Sequence, residues 1–215
     1  MTGQPSPHKG QPVLHTGADL DTATAAVIML HGRGANAADI LGLAESFDRP
    51  GLAYLAPEAA GHTWYPLSFL APTVRNQPFL ASALEVIADL VGFLITKDIL
   101  PERTALVGFS QGACLSLEFA ARHPDRYGAV GAFTGGLIGE SIDPSDYHGS
   151  LEGTPVFIGS SDVDPHVPLP RVRESSAIMA KLGGEVTEKV YPGMAHTINE
   201  DEIEHVRALL DRMAG

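Results

Sequence analysis

Cysteine is almost absent: Cys114 is the single one in 215 residues. An internal disulfide and a cysteine-based metal cluster are thereby excluded. Cys114 lies four residues after Ser110 on a helix-like segment, and it reads as a small buried apolar residue. Positive charge is scarce, with 14 Lys and Arg against 26 Asp and Glu, a formal net charge of −12. That balance argues against nucleic acid or an anionic lipid surface as a partner. Long apolar runs are missing too. No stretch reaches the roughly 18 residues that a membrane span requires, and residues 1–10 lack the apolar core of a secretory signal. They read as a flexible lead before a single domain over 11–215, in a cytoplasmic protein without stable membrane insertion. No glycine-rich phosphate loop occurs, and no His, Cys or carboxylate cluster has metal-ligand spacing, so neither cofactor nor metal is expected. Internal repeats and low-complexity blocks are absent as well.

What remains is an ordinary globular composition, 44% hydrophobic and 19% charged, in a chain long enough to bury a sizeable core without staples. Ala25–Leu30 is a continuous apolar run, the pattern of a strand buried on both faces. Leu52–Ala56, the segment from Thr104, Tyr127–Thr134 and Pro155–Gly159 read as further strands. Glu185–Tyr191 alternates enough for a last strand, and Pro12–Gly17 suits a short edge strand. Helical spacing runs over Ala37–Phe47, Phe79–Asp98, the segment after Ser110 to His123, Leu169–Leu182 and Asn199–Met213, with Asn199 as an N-cap. Between them, Gly61–Pro78 is irregular and aromatic, broken by Pro66, Pro72 and Pro78. Alternating strands and helices with short links predict an α/β fold with a mostly parallel central sheet and helices on both faces.

In such sheets, sites form at the carboxyl ends of the strands. Gly108-Phe109-Ser110-Gln111-Gly112 follows an apolar run and opens a helix-like segment, the context of a nucleophile elbow. Gly108 and Gly112 have no Cβ to obstruct a sharp turn at Ser110. A serine hydroxyl needs a histidine to take its proton and an acid to hold that histidine. Asp162 and Asp164 follow one strand and His196 follows another. The order serine, acid, histidine is that of α/β-hydrolases. The backbone N–H of Gln111, next after the serine, is one oxyanion donor. His31-Gly32-Arg33-Gly34, after the Ala25–Leu30 run, is the loop for a second.

Four segments in this order resemble the phospholipase/carboxylesterase family, which includes the acyl-protein thioesterases. They are Leu30-His31-Gly32-Arg33-Gly34, Gly108–Gly112, Asp164-Pro165-His166-Val167-Pro168, and Tyr191-Pro192-Gly193-Met194-Ala195-His196. Trp64-Tyr65-Pro66 is similar to the bacterial predicted-esterase branch. The resemblance covers the chain after residue 10 and implies an α/β-hydrolase fold without a large cap domain. It also implies a cofactor-free serine carboxylesterase that cleaves small or short-chain esters through an acyl-enzyme. It makes Ser110, Asp164 and His196 the catalytic residues, with Asp162 shaping the loop and His166 at the rim. It makes Arg33 the second oxyanion donor beside Gln111. Trp64, Tyr65, Phe69 and Leu70 are expected to line the acyl or leaving-group pocket, with His31 beside the oxyanion loop, its ring bonding nearby backbone. The guanidinium of Arg33 either meets an anionic group of the substrate or pairs with Glu58. Thioesters, lysophospholipids and lactones are alternative substrates. Alternatives of another class are a non-catalytic ligand-binding protein, or a homodimeric interaction module built on the aromatic loop.

Overall fold

Residues 6–47 and 49–214 are described by a computed structural model. Seven strands form one sheet: β1 (Val13–Gly17), β2 (Ala25–Leu30), β3 (Leu52–Pro57), β4 (Thr104–Phe109), β5 (Ala129–Phe133), β6 (Pro155–Ser161) and β7 (Glu185–Tyr191). Their order across the sheet is β1-β3-β2-β4-β5-β6-β7. Only β1 runs antiparallel, on β3, and every other pairing is parallel. This is the mostly parallel sheet that the pattern of strands and helices predicts, in the α/β-hydrolase arrangement that the resemblance implies.

Burial explains why those runs do not alternate. All six residues of β2 are buried. Ala26, Ile28 and Leu30 face one core layer, while Ala25, Val27 and Met29 face the other. On the first face pack α3 (Phe79–Ile95), α4 (Gln111–Arg122) and α5 (Leu169–Lys181). On the second pack α1 (Ala37–Leu41), α2 (Ala44–Phe47) and α6 (Glu200–Ala214). Edge strand β7 keeps the alternation, exposed and half-buried by turns, because helices cover it less completely. Among the described residues no helix is long and apolar enough to cross a membrane.

Three expectations need correction. The helix expected over Ala37–Phe47 is two short helices that part at Gly42. Glycine is a poor helix former; a capping box between Asn36 and Asp39 starts the first piece, and the Gly42 N–H closes it on Ala38 O and Asp39 O. The helix expected over Phe79–Asp98 ends at Ile95, because Asp98 adopts φ +60° and turns the chain. The expected flexible lead fails where it can be described. Residues 1–5 lie outside the described residues, but His8 is buried, its Nε2 bonds Trp64 O at 2.9 Å, and its Nδ1 accepts from Ala60 N at 3.0 Å. The first segment is thus pinned onto the aromatic loop by a histidine that no periodicity marks.

Candidate active site

β4 leads into Ser110, and Ser110 leads straight into α4. The serine takes φ +54° and ψ −115°, a conformation that costs a residue with a Cβ of order 1–3 kcal/mol. The surroundings hold it there. Ser110 N donates to Phe133 O at 2.9 Å, and Cys114 N donates to Ser110 O at 3.0 Å. A Cβ on Gly108 would stand 2.3 Å from the carbonyl carbon of Gly112, and one on Gly112 would stand 2.0 Å from Leu30 O. The two glycines therefore let the first turn of α4 close onto its own strand and onto the end of β2.

Three strand ends meet at this turn. His196 Nε2 lies 2.9 Å from Ser110 Oγ, and His196 Nδ1 lies 2.7 Å from Asp164 Oδ2. A carboxylate only accepts, so Nδ1 carries the proton and Nε2 is free to accept from the serine hydroxyl. The Asp164 side chain is fully buried, and its Oδ1 accepts from His166 N at 2.7 Å and Val167 N at 2.8 Å. Burial opposes the charge on Asp164. The bonds from His196, Val167 and His166 together outweigh it, and its pKa lies below the usual carboxylate value. Asp162 Oδ1 accepts from Gly193 N at 2.8 Å, which ties the acid loop to the histidine loop. The rings of Phe109 and His166 flank the imidazole of His196 at 5.0 and 4.9 Å between centroids.

The loop after β2 lies against the elbow, with a Cβ on Gly32 only 3.5 Å from Ser110 Cβ. Among the described residues, neither Arg33 N–H nor Gln111 N–H donates to a protein acceptor. Their side chains are both tied to the aromatic loop. Gln111 Oε1 accepts from Trp64 N at 2.8 Å, and its Nε2 donates to Tyr65 O at 2.8 Å. Arg33 Nη1 donates to Thr63 Oγ1 at 3.1 Å and Pro66 O at 2.9 Å, and Nη2 donates to Leu67 O at 2.6 Å. The expected alternative of an Arg33–Glu58 pair is not made. Glu58 instead accepts from Ala37 N at 2.8 Å and meets His62 at 3.1 Å. Segment 63–67 thus cross-links the two chain segments whose free N–H groups flank Ser110.

A cleft of about 410 Å³ opens beside Ser110. Tyr65, Ser68, Phe69, Cys114, His166 and Val167 line it. Trp64 and Leu70 do not, which corrects their expected role, and neither does His31. Trp64 is buried between His8 and His31, at 5.3 and 5.1 Å between rings, and its Nε1 donates to His31 O at 3.0 Å. Leu70 packs against the core instead. His31 is fully buried, bonding Gly32 O through Nδ1 at 2.8 Å and accepting from Ala59 N through Nε2 at 3.1 Å. Its ring does bond nearby backbone, but it has no face toward the cleft. Burial pushes the Cys114 thiol up to about 12, so it serves as an inert wall. Among the described residues no group of three or more His, Cys, Asp and Glu is arranged to hold a metal ion.

His8 and His31 accept from consecutive amides, those of Ala60 and Ala59. A protonated ring cannot accept there. Burial lowers both pKa values below 6.5. For a histidine depressed in the folded state, the stability it contributes is complete above the unfolded value of 6.5. It is lost as the pH falls below 6.5 toward the lowered folded value. Glu202, raised by burial to about 7, acts with the opposite sign, so a difference between proteins isolates the histidines. Urea midpoints measured from pH 7.5 to pH 5 should fall less steeply in His8→Gln and His31→Gln than in wild type. Parallel curves would show that neither ring carries the effect.

The chain is similar to known proteins over most of its length. Residues 14–214 match the family model described as phospholipase/carboxylesterase. The chain is 32% identical over 127 residues to acyl-protein thioesterase 1 of Gibberella zeae, covering 57% of this chain and 53% of that one. It is 33% identical over 138 residues to acyl-protein thioesterase 1 of Saccharomyces cerevisiae, covering 61% and 59%. The matches thus span little more than half the length of these curated relatives. The crystal structure of a phospholipase/carboxylesterase from Dyadobacter fermentans superposes with a TM-score of 0.91 at 43% identity, covering 94% of this chain and 96% of that one. That of esterase PE8 superposes with a TM-score of 0.76 at 26% identity, covering 94% and 98%. With a family model matched across nearly its whole length, this chain belongs to the phospholipase/carboxylesterase family.

Proposed function

We infer that the protein hydrolyses carboxylic esters through an acyl-enzyme on Ser110. The observation that carries this reading is the unbroken relay from Ser110 Oγ to His196 at 2.9 Å and from His196 to Asp164 at 2.7 Å. Ser110 attacks the carbonyl while His196 Nε2 takes its proton. Asp164 orients the ring and stabilises its charged form. The N–H groups of Arg33 and Gln111 receive the developing oxyanion, an arrangement whose single donors are worth about 10²–10³ in turnover elsewhere. His196 then protonates the leaving alcohol, and water attacks the acyl-enzyme by the same steps in reverse. A cleft of about 410 Å³ stands near the lower end of small-molecule sites, which suits a short acyl group.

The relatives named acyl-protein thioesterase 1 favour a second reading, in which the acyl group arrives as a thioester. The relay would serve either leaving group, since only the protonated atom differs.

A fluorophosphonate probe tests the assignment without knowledge of the substrate. The expected result is one label per chain, on the peptide carrying Ser110, and none on His196→Ala under the same exposure. A native protein that stays unlabelled, or that is labelled elsewhere, would overturn the reading and return the chain to a ligand-binding role.

A further inference from the structure

Among the described residues, the cleft beside Ser110 is lined by one guanidinium and by no carboxylate. Asp164 is shielded behind His196, with no exposed side-chain surface. The guanidinium is that of Arg33, which is exposed. Among the described residues it forms no ion pair. Its three bonds go to neutral acceptors, Thr63 Oγ1, Pro66 O and Leu67 O. They use both N–H groups of Nη1 and one of Nη2. Nε–H and the second Nη2–H have no acceptor among the described residues. The plane of the guanidinium is steadied further by the Tyr65 ring, 5.9 Å away. Arg33 is therefore fixed in position while its charge stays uncompensated. In a chain of net charge −12, that leaves an unpaired positive charge at the lip of this cleft.

We propose that the cleft takes esters carrying a carboxylate close to the scissile carbonyl, bound by the two unspent donors of Arg33. This rests on the esterase reading above. A carboxylate matches two donors on one planar fork and a single positive charge. A phosphate dianion would leave one charge unmatched, because among the described residues no second Lys or Arg lines the cleft. The backbone of Arg33 is the proposed oxyanion donor, so the carboxylate sits within one arginine side chain of the carbonyl. That limits the substrate to half-esters of short dicarboxylic acids or similarly compact acids.

The test compares kcat/KM for mono-4-nitrophenyl adipate with that for 4-nitrophenyl hexanoate, and for a chain-matched 4-nitrophenyl ester ending in a phosphonate. Wild type should favour the carboxylate over both, and the preference should shrink as salt rises. Arg33→Gln should lose about 10- to 100-fold on the carboxylate ester, chiefly in KM, with a smaller loss on the neutral one. Arg33→Lys should retain part of the preference. Equal use of the three esters by wild type would overturn the proposal, as would equal losses of the charged and neutral esters in Arg33→Gln. A phosphonate preferred to the carboxylate would reassign the ligand. Should Arg33→Gln not fold, the wild-type preference and its salt dependence decide alone. Failure of the esterase reading looks different: no ester is cleaved and Ser110 takes no fluorophosphonate label.

Discussion

Ser110→Ala is expected to lower kcat for a 4-nitrophenyl short-chain ester by about 10⁶, and His196→Ala to lower it by a similar factor. The double variant should be no worse than either single one. Serine and histidine act as one unit: without the hydroxyl the ring has no proton to take, and without the ring the hydroxyl is a poor nucleophile. Asp164→Asn should cost about 10⁴, since it leaves the geometry but reverses the tautomer that the 2.7 Å bond imposes. The Ser110→Ala protein should stay folded, because alanine and serine carry the same Cβ and meet the same penalty at φ +54°. Losing the hydroxyl removes one bond, that to His196. A Ser110→Ala protein with wild-type turnover and an unchanged melting temperature would sink the relay.

Gly112→Ala should be among the most damaging substitutions by a single methyl group in the chain. The added Cβ would stand 2.0 Å from Leu30 O and 2.8 Å from His31 O, inside van der Waals contact with backbone that has no rotamer to move. Overpacking of this kind typically costs 1–3 kcal/mol, and more where backbone must shift. Relief requires α4 to lift off the end of β2. That motion would carry Gln111 N–H away from Ser110 and push the loop that bears Arg33. Activity should therefore fall by more than the loss of folded protein explains. Gly92→Ala is the control: a Cβ there meets nothing within 4 Å, and its φ is not in the left-handed range. It should raise stability by about 0.5–1 kcal/mol, as expected for Gly→Ala inside a helix. Thermal melts and initial rates on both variants settle the comparison. A Gly112→Ala protein that melts and turns over like wild type would mean that the elbow has room the distances deny.

The sheet could be read from the sequence because a central parallel strand is buried on both sides. The run Ala25–Leu30 and the absence of alternation are the direct imprint of that burial. The elbow was legible for a similar reason. Gly108 is demanded by its close approach to Gly112 four residues on, and Gly112 by the end of β2, so both glycines of the elbow are obligatory and their spacing survives as a pattern. His196 and Asp164 were harder. Which of Asp162 and Asp164 faces the histidine could not be told from spacing, since both follow β6. The resemblance favoured Asp164; in the structure Asp162 accepts from Gly193 N and Asp164 meets His196.

The aromatic loop is where sequence reading failed. Trp64 and Tyr65 are neighbours with the same chemistry, yet one is buried between two histidines and the other lines the cleft. No periodicity governs an irregular segment, so the direction of each side chain is set by partners distant in sequence. His8, Gln111 and Arg33 hold this loop from three separate parts of the chain, and buried Asn76 Oδ1 accepts from Leu67 N at 2.9 Å. Such bonds leave no local signature, because any of several polar residues could satisfy the same backbone groups. The sequence by itself determined the sheet, the elbow and the order of the reacting groups, all of which follow from short-range sterics and burial. Only the tertiary structure decided which aromatics line the cleft and left Arg33 without a counter-charge, because both depend on where distant segments come to rest against one another.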